Sequence, residues 1–194
     1  MSCEGKTLSM PINFFALMAL FVLGCSNESL QTSIPPSDFK PSSQVVDLLG
    51  GPTSINTVQN ATLVSALRIQ PPADDASEGS IKQLSGYKIL SGPVVVPNQF
   101  LIELRKSILD GESYAWNAAK AACGPPNYGV RFQFLRDDEA LDILVCFQCD
   151  IVGIYHNGNL VADMEFDAMR PQLVRIAKAL FPGDAVIQSL PEKE

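Results

Sequence analysis

Cys123, Cys146, Cys149 and the single histidine, His156, are the side chains best equipped for chemistry. Cys146-Phe147-Gln148-Cys149 is a C-x-x-C pair. In a thiol oxidoreductase such a pair opens a helix, whose dipole lowers the pKa of the first thiol. Here the flanking residues alternate as in a strand. At i and i+3 of a strand, two thiols point to opposite faces roughly 10 Å apart along the chain, and a disulfide between them requires a sharp bend. Haem attachment needs a histidine after the second cysteine, and that position is Asp150. With Cys123 and His156 the pair reaches the ligand count of a Cys₃His zinc site, although it lacks the glycine that lets a zinc knuckle turn. The plainest reading is a structural disulfide from Cys123 to Cys149, leaving Cys146 as a buried thiol. Cys146 remains an alternative partner for Cys123.

Carboxylates are the other candidates. Asp163, Glu165 and Asp167 form an acidic row, with Asp142 and Asp150 nearby. Such a row can bind Ca²⁺ when loop carbonyls complete the shell; without them it reads as a solvated strand face. Tyr114, Trp116 and Tyr128 could form a ligand patch, or core. The chain has no G-x-S-x-G, P-loop, dinucleotide fingerprint or H-E-x-x-H. No catalytic residue, metal or cofactor is therefore assigned. A net charge of -7 and a pI near 4.7 argue against nucleic acid and against docking on anionic lipid.

The N-terminus carries a different chemistry. Ile12 to Gly24 is an apolar run shorter than the roughly 20 residues of a membrane-spanning helix, and it fits the apolar part of an export signal. It ends Val22-Leu23-Gly24-Cys25 and is followed by Ser26-Asn27-Glu28-Ser29. This resembles the lipobox of bacterial lipoproteins. The resemblance implies that residues 1–24 are removed, that lipid is attached to Cys25, and that the protein sits in the cell envelope, tied to a membrane. Lys6 beside Glu4 is an atypical leader, and Met10 is an alternative start. Residues 25–42, rich in Ser and Pro, read as a tether. Residues 43–190 are long enough for one globular domain, with a tail over 191–194.

The cysteines depend on the elements around them. Val45 to Leu49, stopped by Gly50-Gly51, predicts a short helix. Leu63–Gln70 and Tyr87–Val96 read as strands, the second interrupted at Gly92-Pro93 as an edge would be. Phe100, Leu101, Leu104 and Ile108 give a helix starting at Asn98. Ser113–Ala122, rich in alanine, predicts another, stopped by Cys123-Gly124-Pro125. Val130, Phe132 and Phe134 form a strand, followed by a turn over Asp137–Ala140. The odd positions from Leu141 to Tyr155 are predicted to face the core along one continuous strand, with Phe134 opposite Ile143. Asn157-Gly158 signals a tight hairpin, which sets Tyr155 opposite Leu160 and Ile151 opposite Met164. Met169, Leu173, Ile176, Ala177 and Leu180 line a last helix, with one more turn in the tail. The expected fold is α+β: an antiparallel sheet, including a three-stranded meander, with helices packed on one face.

The blocks Tyr87–Val96, Ser113-Tyr114, Cys123, Cys146–Asp150, Phe166-Asp167 and Leu180–Asp184 resemble a group of uncharacterised exported bacterial proteins. That resemblance implies no activity and assigns no functional residue. The expectation is thus a non-enzymatic binding or scaffolding domain, its protein or small-molecule partner unspecified. The alternative is an envelope thiol-redox or zinc protein using Cys123, Cys146 and Cys149. Cys25→Ser is predicted to abolish fatty-acid incorporation in metabolic labelling; unchanged label in the variant would refute the anchor.

Overall fold

A computed structural model describes residues 39–71, 84–117 and 126–192. The predicted leader, the lipidation site Cys25, most of the tether and Cys123 lie outside the described residues. The described chain is α+β. Six antiparallel strands form one sheet: β1 (Leu63–Gln70), β2 (Lys88–Val95), β3 (Val130–Arg136), β4 (Glu139–Cys146), β5 (Ile151–His156) and β6 (Asn159–Glu165). Their spatial order is β2-β1-β3-β4-β5-β6. The helices are α1 (Ser43–Leu48), α2 (Pro52–Asn60), α3 (Asn98–Leu109), α4 (Arg170–Leu180) and α5 (Ala185–Gln188).

The helices cover one face because their apolar stripes match the inward residues of the strands. Val130, Phe132 and Phe134 of β3 and Leu141, Ile143 and Val145 of β4 meet Leu104, Ile108, Leu173, Ile176 and Leu180 in the main core. Ser42 caps α1 by accepting from the Val45 amide, and Gly50 and Gly51, both at positive φ, turn the chain into α2. That second helix has no counterpart in the sequence reading. Ile55 and Val58 are its buried apolar residues, among otherwise polar and small side chains.

The opposite face carries a second, smaller core: Leu67, Ile69, Tyr87, Tyr128, Leu144, Cys146, Cys149 and Tyr155. Its existence overturns the parity assigned to the meander. The expected continuous strand is two strands, β4 and β5, joined by a turn over residues 147–150, with Asp150 at φ 49°. Aspartate is among the few side chains that tolerate this left-handed region. Cys146 consequently pairs with Ile151 and Val145 with Val152. Odd positions face the helices before the turn, and Val152 and Ile154 do so after it. Tyr155 points into the second core.

The other hairpins correct the expected register in smaller ways. Asp137 and Asp138 alone form the β3–β4 turn, with Asp137 at positive φ. Phe134 therefore faces Leu141, and Phe132 faces Ile143, a two-residue slip that preserves the buried face. Tyr155 faces Leu160 as expected. A bulge beyond Tyr155 then sets Val152, rather than Ile151, opposite Met164 and turns Val161 toward Gly50. The helix expected over Ser113–Ala122 does not begin at Ser113. Gly111–Ser113 is a single 3₁₀ turn, residues 114–117 are non-helical, and 118–122 lie outside the described residues.

Gly153 leaves room for the Tyr128 ring. A Cβ built there would lie 2.6 Å from the Tyr128 hydroxyl and 2.7 Å from its ring carbon. Gly153→Ala should therefore cost about 1–3 kcal/mol by overpacking, measured by urea melts; a loss below about 0.5 kcal/mol, typical of a neutral surface change, would show that Tyr128 does not depend on this gap.

Candidate functional site

The C-x-x-C segment is the turn between β4 and β5. Cys146 ends β4, Cys149 lies in the turn, and the two are joined by a disulfide with a Cα–Cα distance of 5.8 Å. This corrects the expected Cys123–Cys149 bridge. Cys149 already has a partner three residues away, because the strand assumed to separate the two sulfurs bends sharply. Cys146 is fully buried, and Cys149 nearly so.

Several ties besides the disulfide hold the turn. Arg170, at the start of α4, donates through Nη1 to the Phe147 carbonyl at 2.8 Å and forms a buried ion pair with Asp150. Its Nε donates to the Pro191 carbonyl at 3.3 Å. The Phe166 amide donates to the Asp150 carbonyl at 2.9 Å. The Phe147 ring packs edge-on against Phe166 in the main core. Asn127 reaches the exposed Gln148 side chain at 3.3 Å. Arg170 was not singled out from sequence. A charged residue directly before Pro171, at the head of an apolar stripe, was the available signal.

Three tyrosines stand over the disulfide's face of the sheet. Tyr87 and Tyr155 share a hydrogen bond between hydroxyls at 3.4 Å, and Tyr87 packs against both Tyr128 and Tyr155. Burial pushes all three phenols above their ordinary pKa. For Tyr128 the carboxylate of Asp163 adds to the effect. They remain protonated at neutral pH and can donate hydrogen bonds but not act as phenolate bases.

The remaining candidates do not converge. His156 pairs with Glu139 at 2.6 Å at the end of β5 away from the disulfide. The five steps from Ile151 to His156 span roughly 17 Å of strand, so His156 cannot complete a zinc set with Cys146 and Cys149. No group of three or more potential metal ligands occurs among the described residues. The acidic row is dispersed: Asp163 is exposed on β6, whereas Asp150 is drawn inward by Arg170. Tyr114 and Trp116 pack against each other beside α3, while Tyr128 belongs to the opposite face, so the three do not form one aromatic patch.

Asp142 is the most unusual carboxylate. It is 1% exposed and accepts from Arg131 Nε at 2.8 Å, but its Oδ2 has no hydrogen-bond partner. Burial raises its pKa, and the Arg131 guanidinium offsets only part of that rise. Arg105 is a second buried charge, lowered in pKa by burial. One guanidinium nitrogen donates to the Ala61 carbonyl at 3.3 Å, just beyond the end of α2, where helix carbonyls concentrate negative charge. Asp142 is thus one half of an ion pair with Arg131, whereas the Arg105 Nε is buried with no hydrogen-bond partner among the described residues.

No protein-family model, curated protein or solved structure matches the chain.

Two measurements test this geometry. The disulfide closes a very short loop, so replacing both Cys146 and Cys149 by Ala should cost about 2 kcal/mol by loop-entropy reasoning. A collapse of the fold in urea melts would show that Arg170 and Phe147 do not hold the turn unaided. Because the folded-state pKa of Asp142 is raised, its contribution to stability is full below the ordinary carboxylate range and is lost as pH rises through the raised value. Asp142→Asn removes that loss. Its stability relative to the native chain should climb as pH rises above the ordinary carboxylate range, about pH 4, whereas parallel pH profiles would refute the assignment.

Proposed function

We propose that the chain is a lipid-anchored protein of a bacterial cell envelope whose domain binds a partner without catalysing a reaction. The observation that carries this reading is the Cys146–Cys149 disulfide in a buried turn. Such bonds form and persist in oxidising compartments, the destination implied by the lipobox-like sequence ending at Cys25. The kinship with uncharacterised exported bacterial proteins belongs to the same proposal.

The ionisable groups with catalytic potential support the binding reading, because they are engaged in holding the fold. Arg170 pairs with Asp150, Arg131 with Asp142, His156 with Glu139. Neither half of the C-x-x-C pair begins a helix, so the dipole that activates thiols in oxidoreductases is missing from this turn.

Peptide mapping of protein recovered from the envelope, with thiols blocked at lysis and no reductant, tests the proposal. The expected result is a Cys146–Cys149 linked peptide, an alkylated Cys123 and a lipid-modified Cys25. Alkylation of both Cys146 and Cys149 would place the chain in a reducing compartment and refute the reading.

A further inference from the structure

The two edges of the sheet are finished differently. At the end of β6 the Ala115 amide donates to the Glu165 carbonyl at 3.1 Å, and Val161 lies against Gly50. Asp163 and Glu165 add charge to that strand, a common guard against pairing with another chain. The β2 edge lacks such cover. Among the described residues β2 pairs with β1 alone, Lys88 is its single charged residue, and Lys88 to Pro93 are all exposed.

The side chains at this edge are apolar. Leu63, Ile89, Leu90 and Val95 are exposed here, whereas Ile102, Val161 and Val186, the other large apolar residues exposed among those described, stand singly on other elements. Bulges in β2 shift its pairing with β1 by two residues between Val95, opposite Ser65, and Ile89, opposite Ile69. A shift of two restores parity. Ile89 and Val95 therefore point to the same face, that of the three tyrosines, and Leu63 lies on that face beside Val95. An open edge with such a patch is suited to accepting a further strand.

The strand is complementary to itself. A two-fold axis through Gly92, perpendicular to the sheet, sets two copies of β2 antiparallel. Ile89 of each copy then lies opposite Val95 of the other, on the same face. Gly92 meets Gly92 at the axis, where no side chain separates the backbones. Pro93 has no amide to donate, so the pairing falls into two equal flanks on either side of the axis. The net charge of -7 does not oppose this contact, because β2 holds no carboxylate and the two copies of Lys88 sit at opposite ends of it.

The entry of the chain favours a second copy over a foreign strand. Phe39 packs against the main core, and Gln59 of α2 donates to its carbonyl at 3.2 Å, so each chain arrives on the helix side. An axis perpendicular to the sheet keeps both helix layers on one side. The fourteen steps from Cys25 to Phe39 reach at most about 50 Å, and lipids on both copies can then enter one bilayer.

We propose that β2 is a dimerisation edge, along which two copies of this chain join their sheets with Ile89 of each against Val95 of the other. The proposal rests on the binding-domain reading and gives it a partner, a second copy.

Sedimentation equilibrium of the full-length protein in density-matched detergent, from about 1 μM to about 1 mM, should show a monomer–dimer equilibrium. Ile89→Lys and Val95→Lys should each weaken it by roughly tenfold or more, with far-UV circular dichroism unchanged because the two side chains are 52% and 63% exposed. A cross-linking experiment tests the register without disturbing the patch charge. Ile89→Cys and Val95→Cys proteins, mixed and oxidised in air, should give a disulfide between the two introduced thiols, identified by peptide mapping. Either variant alone, or Val186→Cys on α5 as control, should not link to itself through the new thiol. A monomer throughout the range, a dimer indifferent to both lysine variants, or self-linking as ready as in the mixture would overturn the proposal. So would a different polypeptide linked to Ile89→Cys in the envelope in place of a second copy. Fatty-acid label on Cys25 is read on the same preparation. Label present on a monomer overturns the pairing alone; label absent from a dimer overturns the envelope anchor alone.

Discussion

A single guanidinium fixes the centre of this fold. Arg170, the first residue of α4, is buried where the β4–β5 turn and the C-terminal tail meet, and it bonds to both. Taking such an ion out of water costs several kcal/mol unless its partners are well placed. The arrangement is therefore tolerable in one conformation of the turn: the one with Asp150 in the left-handed region and the Phe147 carbonyl aimed at α4. Once the turn is set, Phe147 enters the main core, the two cysteines come within bonding distance, and the register of β5 against β4 is determined. A second guanidinium does similar work at the other end of the tail. Arg68 of β1 pairs with Asp184 at 2.8 Å, while the same carboxylate caps α5 through the amides of Val186 and Ile187. The C-terminal segment is thus held at both ends by arginine, to β1 through Arg68 and to α4 through Arg170.

Much of the architecture was legible because it follows from periodicity. The alternation Val130-Phe132-Phe134, the Asn157-Gly158 turn and the stripe Leu173-Ile176-Ala177-Leu180 each have one strong physical interpretation, and the fold has all three elements. The β4–β5 turn was hidden for an equally physical reason. Around Cys146 both faces of the sheet are buried, so apolar residues occupy odd and even positions alike and alternation loses its meaning. What marks the turn is a long-range ion pair to Arg170, which no local window contains. The bulge near Val161 lies against Gly50, a contact between distant parts of the chain that composition does not reveal.

The candidate site was legible in part. The sequence singled out Cys146 and Cys149, but assigned them to different fates because it placed them on opposite faces. His156 flanks the hairpin turn as expected, whereas Asp142 and Asp150, read as part of a solvated face, are buried.

The order of strands also bears on how the chain finds its structure. Every neighbouring pair in β3-β4-β5-β6 is joined by a turn of two to four residues, so this half can zip from local hairpins. The β1–β2 pair attaches only when Leu63 meets Leu135 and Arg68 meets Val130, closing a loop that contains β2 and α3. Contacts of such separation form late, since closure entropy is lost before the pairing rewards it. Until then the inner edge of β1 is an unpaired template carrying Val64 and Ala66. In this topology β1 and β3 each cover an edge of the other that would otherwise be open to pairing with neighbouring chains.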